Sequence, residues 1–518
     1  MEKKEIRMEY SGYVIFAAKM VSIVSGLVFA YMVARELIVP APGTNRTYYD
    51  MWFNVNDLLG YFTLMTGVLP FWAMRYAARG KEGSIKTGIL ANLTISGIAA
   101  VMYLLLIPLI TAGLGISQVY LGVYLFVAIL IVETYMMGIL ESCLQARMPQ
   151  AIGYGLIVQQ IGRVILGYVL IINFHLLLLG AVVANLTAFV PQIFFYLKLL
   201  AQELKQKIKR EYITEWLKAS LVNVYNVVGS QIASYIFIIL FTYGGQDARG
   251  ELGAGATIVN VITYSSLLAF ALYPKLLAEK KSEHITTALK MVLMFAIPLT
   301  LGAIALSDSY IRILTDKYTD AAPVLIVLAM DSFVVVISNF YLSVLLGVEN
   351  VDEGSQLSLR RLAKSRLFLA FSLPYLHSLI TIPTALYLLS NFARNQPFQA
   401  ALYVAIINAV ARFTSFLILY IIVRKMIKMH IPWKTIVKYV VAAAAMAAIL
   451  YAIPHPTRTY VILAETAFGG LVYLLVLMAI DKEARALPKP ILTRARAILK
   501  GFQAKIKKTK QRHFPPRR

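Results

Sequence analysis

The sequence is poor in the residues that build metal sites and covalent staples. It has one cysteine, Cys143, and six histidines in 518 residues. A single cysteine excludes a disulfide framework, and the scattered histidines lack metal-ligand spacing, so no metal or other cofactor is expected. Charge is also scarce: Asp, Glu, Lys and Arg together make up 15% of the chain. That is too little to coat the surface of a soluble protein. Long polar stretches are missing as well. The connections between apolar blocks are short, which leaves no room for an extramembrane catalytic domain.

What the chain has instead is hydrocarbon. Hydrophobic residues are 59% of the total, and the mean hydropathy is +0.70. They fall into about fourteen blocks of roughly 18 to 27 residues, and ~20 helical residues cross a hydrocarbon core of ~30 Å. The expected fold class is therefore an all-α polytopic membrane protein. The first block, 11–35, is too long for a signal peptide and lacks a small-residue cleavage site, so it reads as a span.

The net charge of +24 comes from 50 Lys and Arg against 26 Asp and Glu. Nucleic acid is not the expected partner, because the cations mark sidedness. With both termini in the cytoplasm, about 40 of the 50 fall on inner loops, inner helix ends and tails. Only Arg46, Arg249, Arg312, Lys317, Arg394 and Arg458 fall on outer loops. The connection 200–218, "LAQELKQKIKREYITEWLK", puts Leu204, Ile208 and Trp216 on one helical face against a rim of lysines. This predicts an amphipathic helix on the inner leaflet. The tail "ILTRARAILKGFQAKIKKTKQRHFPPRR" (491–518) has the same character and predicts attachment to anionic lipids at the cytoplasmic face.

The organisation that follows is an N-terminal lobe (1–199), the cytoplasmic linker (200–218), a C-terminal lobe (219–424), two further helices (425–480) and the basic cytoplasmic tail (481–518). The lobes echo each other. "LPFWAMRYAARGKEGSIKTGIL" (69–90) and "YPKLLAEKKSEHITTALKMVL" (273–293) each carry a proline near an inner end, Pro70 and Pro274. Each also has a lysine sixteen residues later, Lys86 and Lys290. Such an echo is the trace of a repeat-built transporter.

An ionisable residue at the centre of a span costs ~2.5–3.5 kcal/mol even on the milder insertion scale, so each needs a partner or a wet cavity. The stretch "VQQIGRVILGYVL" (158–170) holds Arg163, with Gln159 and Gln160 one turn earlier. Lys19, Arg35 and Arg412 are the other cations inside spans, and Glu133, Glu141 and Asp331 are candidates for coupling to H⁺ or Na⁺. In the seventh block Asn223, Asn226, Ser230 and Ser234 fall within about 80° of one another at 100° per residue. Two readings of Arg163 stand open at this point. One is an ion pair with Glu133 or Glu141 that stabilises the fold. The other is a cation facing a cavity, where a guanidinium suits phosphate oxygens and stays charged. Candidate substrate contacts are then Arg163, Lys19, Gln159, Gln160, Asn223, Asn226, Arg35 and Arg412.

Four segments, taken in order, resemble a known family. They are "YMVARELIVP" (31–40), "TGVLPFWAMRYAARGKEG" (66–83), "CLQARMPQAIGYGLIVQQIGRVILGYVLI" (143–171) and "ELGAGATIVNVITYSSLLAFALYPKLL" (251–277). Their order and spacing are similar to those of the polysaccharide and lipid-linked oligosaccharide flippases of the multidrug/oligosaccharidyl-lipid/polysaccharide exporter superfamily. The resemblance implies two six-helix lobes around a central cavity, two added C-terminal helices, and alternating access. It implies as cargo a polyprenyl-phosphate- or pyrophosphate-linked oligosaccharide, moved from the cytoplasmic to the outer leaflet of the plasma membrane. Lys19 stands where some cation-exporting relatives carry a carboxylate, which favours an anionic cargo. The rivals are a cation-coupled drug or small-metabolite antiporter of the same superfamily, and a membrane-embedded glycan ligase or glycosyltransferase. The enzyme would need acidic metal ligands or a catalytic pair on outer loops that are here short and acid-poor.

Overall fold

The computed structural model describes residues 8–37, 39–42, 48–113, 116–279, 281–314, 321–349, 362–454, 458–482 and 485. The basic tail at 491–518, expected to lie on anionic lipid, falls outside the described residues. The main helices are α1 (Met8–Leu37), α2 (Tyr48–Phe62), α3 (Val68–Ala78), α4 (Ser84–Gly113), α5 (Val127–Arg147), α6 (Gln150–Gly167), α7 (Leu177–Leu199) and α8 (Arg210–Ala233). They continue as α9 (Ile236–Thr263), α10 (Leu272–Glu279), α11 (Ser282–Ala305), α12 (Ala322–Val348), α13 (Leu373–Phe392), α14 (Pro397–Met426), α15 (Trp433–Ala452) and α16 (Thr459–Ile480).

Among the described residues, thirteen helical stretches are long and apolar enough to cross a membrane. Side chains such as Leu105, Leu109 and Val119 stay more than 70% exposed, as lipid-facing residues of a multi-pass membrane protein do. The fourteenth expected span, 51–76, is present in two pieces. Turns at 63–67 separate α2 from α3, because Pro70 has no N–H to donate to the Thr66 carbonyl. The same device recurs at Pro274. There a 3-10 stretch, Tyr264–Ala269, precedes α10, and Pro274 is the third residue of its short helix as Pro70 is of α3. The proline echo in the sequence thus corresponds to two short helices, and α3 and α10 pack directly on each other.

Helices α1 to α7 pack chiefly among themselves, and so do α8 to α14; α15 lies on α11, and α16 on α15. α9 breaks at Gly245, whose φ of 79° and ψ of −173° no side-chain-bearing residue adopts comfortably. Contact between the two groups of helices runs through α1 against the Tyr264–Ala269 turn, and through α3 against α8 and α10. At Gly12 of α1 the approach is so close that a Cβ would strike the Leu268 carbonyl.

The expected surface helix over 200–218 does not form as one unit. Residues 200–209 are turns and open chain around a 3-10 turn at Glu203–Lys205, while Trp216 lies inside α8. Trp216 is fully buried, its ring centroid 5.4 Å from that of Tyr76 and 5.7 Å from that of Tyr212. Burying an aromatic of this size in a packed core removes ~150–250 Å² from solvent, and this outweighs the interfacial placement that the lysine rim suggests.

Candidate functional site

Arg163 projects from α6 toward α1, which runs beside it from Ser11 near Gln150 to Phe29 near Gly167. Its guanidinium donates through Nη2 to Gln160 Oε1 at 2.8 Å, and its central carbon lies 4.8 Å from the centroid of the Phe29 ring. The side-chain amide and the aromatic face hold the cation without neutralising it. Its Nε is buried and has no hydrogen-bond partner. Among the described residues no carboxylate reaches ion-pair distance of Arg163, so the pair with Glu133 or Glu141, one of the two readings left open, is not made.

Gly26 of α1 faces the guanidinium, and a Cβ there would stand 3.7 Å from Nη2, in ordinary contact. Lys19 is seven residues earlier on α1, two turns or ~10.5 Å along the same face, and it acts electrostatically on Glu141 of α5. Arg163 and Lys19 therefore share one side of α1. Gln160, against Arg163, and its chain neighbour Gln159 are both buried. Glu133 is buried in α5, with its Oε2 unpartnered. Arg35 is placed elsewhere: its side chain is 70% exposed at the end of α1, 3.7 Å from Glu36.

The second group of polar residues lies in the C-terminal half. Arg412 of α14 meets Asp331 of α12 at 3.3 Å, with Asp331 buried and Arg412 half open. This joins two residues that the sequence analysis proposed for different roles. Arg412 borders a cavity of about 470 Å³ walled by α8, α9, α12, α13 and α14. Asn226, Ser230 and Ser234 of the α8 stripe line it, whereas Asn223 is buried nearby with its Oδ1 unpartnered. His377 and Asn408 line it too, and sequence reasoning missed both. Asn408 stands four residues before Arg412, hence on the same helical face. That spacing was the available signal.

A further basic residue was missed because it lies near a helix end. Arg75 of α3 is fully buried, and its Nη1 donates to Tyr273 of α10 at 3.1 Å and to the Leu346 carbonyl at 2.7 Å. Its Nη2 donates to the Glu349 carbonyl at 2.7 Å, and Arg79 reaches the same oxygen at 3.2 Å. Residues Leu346 and Glu349 close α12, so a cation here matches the negative end of that helix while tying the two halves together.

No protein-family model matches the sequence, and no curated protein matches it. The fold does have counterparts among solved structures. A mutant MATE transporter superposes with a TM-score of 0.63 at 13% identity, over 81% of this chain and 97% of that one. The fold is that of MATE transporters. A multidrug-resistance MATE transporter of the MOP superfamily, solved facing outward, gives 0.61 at 13% identity, over 82% of this chain and 97% of that one. A Pyrococcus furiosus transporter of the MOP superfamily, described by the reversed polarity of its binding pocket, gives 0.61 at 13% identity, over 81% and 96%. In this MATE-type fold, Arg163 and Lys19 belong to one half and the Arg412–Asp331 cavity to the other. Arg75 bridges the halves.

Proposed function

We propose that this protein is a flippase that carries a polyprenyl-(pyro)phosphate-linked oligosaccharide from the cytoplasmic to the outer leaflet of the plasma membrane by alternating access. The observation that carries the reading is Arg163, a cation set in an apolar helix and held by Gln160 and Phe29, with no carboxylate among the described residues at ion-pair distance. A charge in that setting is stabilised when an anion arrives, and a guanidinium matches the oxygens of a lipid phosphate. Lys19, on the same face of α1, extends the positive strip. Both termini face the cytoplasm in this reading, and Glu133 and Glu141 supply sites for H⁺ or Na⁺ coupling, a role that Asp331 takes only by releasing Arg412, its partner at 3.3 Å.

The test is genetic. Deleting the gene is expected to leave complete lipid-linked glycan on the inner leaflet, out of reach of an externally added lectin. A shortened glycan would point to a glycosyltransferase and would overturn the reading, and a complete glycan already facing outward would point to a ligase.

A second reading, a cation-coupled drug antiporter, draws on two observations. Solved neighbours include a multidrug-resistance transporter, and Glu133 offers a buried carboxylate oxygen with no partner. The readings separate on charge: Arg163→Ala abolishes movement of an anionic lipid-linked glycan, whereas export of a cationic dye depends on Glu133.

A further inference from the structure

The cavity beside Arg412 differs chemically from the Arg163 site, and the difference identifies a ligand class. Arg412, the one cation lining it among the described residues, is already matched by Asp331 at 3.3 Å. Its remaining polar lining is uncharged amide, hydroxyl and imidazole. Asn226, Asn339 and Asn408 make no side-chain hydrogen bond among the described residues, and both ring nitrogens of His377 are buried without a partner. Ser230, Ser234, Ser338 and Ser415 donate to carbonyls of their own helices at 2.8–3.0 Å, which leaves their oxygens as acceptors toward the cavity.

Several carboxamides and an imidazole left unpaired at membrane depth are costly unless something polar fills the space. An anion gains little from a cation that is already neutralised, and an apolar chain would leave every one of these groups unsatisfied. A hydroxyl-rich, uncharged group satisfies them, because each hydroxyl both donates and accepts. The volume of about 470 Å³ lies within the ~300–1,000 Å³ usual for small-molecule pockets.

We propose that the cavity walled by α8, α9, α12, α13 and α14 is a sugar subsite, which takes a neutral glycosyl residue through Asn226, Asn408, His377 and the serine oxygens. This rests on the flippase reading and deepens it: the phosphate is held from the Arg163 half and the sugar from the other. A single cargo then touches both halves.

Two probes test this on the purified full-length protein in lipid nanodiscs: undecaprenyl phosphate and its glucosyl phosphodiester. Their affinities are measured by native mass spectrometry, and the readout is the ratio of the two. Only folded protein binds, so the ratio is insensitive to partial misfolding. The wild type is expected to prefer the glucosyl ester by about tenfold. Asn408→Leu and His377→Phe should each bring the ratio toward one, and Arg163→Ala should weaken both probes together. Equal binding of the two probes by the wild type overturns the sugar subsite alone, as does an unchanged ratio in both cavity variants. Loss of the ratio with Arg163→Ala inert supports the subsite while removing the phosphate role of Arg163. A wild type that binds neither probe overturns both the subsite and the flippase reading.

Discussion

Arg163 and Arg412 each sit inside a long apolar helix, and among the described residues only Arg412 has a carboxylate at ion-pair distance. Arg412 is compensated by Asp331, which is itself buried and would be costly to leave alone. Arg163 is held by an amide and a ring, which orient the guanidinium without neutralising it. The first arrangement is closed electrostatically and fixes two helices to each other. The second is open, and becomes complete only when a negative group joins it. Arg75 takes a third route, spending its donors on carbonyls at the end of α12 and thereby joining the halves.

The comparison predicts effects of different size and kind. The largest is on stability. Arg412→Met leaves Asp331 buried and unpaired, which is expected to cost about 3 kcal/mol in thermal or denaturant unfolding. Adding Asp331→Leu should recover most of that loss, since apolar residues of similar size replace a buried pair at little cost. A double variant as unstable as the single one would mean that the pair is not the unit. Next comes Arg75→Met, which takes its donor from the Leu346 carbonyl, leaves the Glu349 carbonyl to Arg79 alone, and should cost about 2 kcal/mol. Spin labels on α3 and α10 should report a wider separation; an unchanged distance distribution would show that the apolar contacts alone close this face. Arg163→Met should change stability by no more than about 1 kcal/mol, the size of the lost ring contact, while transport falls at least tenfold. If it destabilised the protein as much as Arg412→Met, the contrast between the two arginines would collapse.

Much of this was legible in the chain. Blocks of ~20 apolar residues are a strong signal, because lipid leaves the backbone no option but internal hydrogen bonds. The prolines at 70 and 274 were legible as an echo, and their effect, two broken helices, follows from the missing N–H. Arg163 stood out because a charge in an apolar run is conspicuous. Its partners did not, since whether Glu133 or Gln160 reaches it depends on how α5 and α6 rotate against each other, which no local pattern encodes. The pairing of Arg412 with Asp331 was hidden for the same reason. His377 and Asn408 were overlooked because neutral polar residues in spans are common and carry meaning only once four other helices surround them. Trp216 misled: its spacing with Leu204 and Ile208 fits a surface helix, but the chain is open through 207–209.

The smallest effect sharpens the comparison most. Gly26 faces Arg163, and a methyl group there would lie 3.7 Å from Nη2, an ordinary contact with nothing displaced. Replacing a mid-helix glycine by alanine restricts the unfolded chain and favours the helix, so Gly26→Ala should raise stability by roughly 0.5–1 kcal/mol. The same methyl covers one side of the guanidinium, on the face of α1 that also carries Lys19. If an anion approaches along that face, its affinity should fall several-fold even as the protein becomes harder to unfold, and undecaprenyl phosphate binding by the nanodisc-embedded variant would read this. Opposite signs on stability and binding are what an open, uncompensated cation requires. A variant that is stabilised and binds the phosphate as well as the wild type does would place the anion on the other side of Arg163, away from Lys19, and would remove Lys19 from the site.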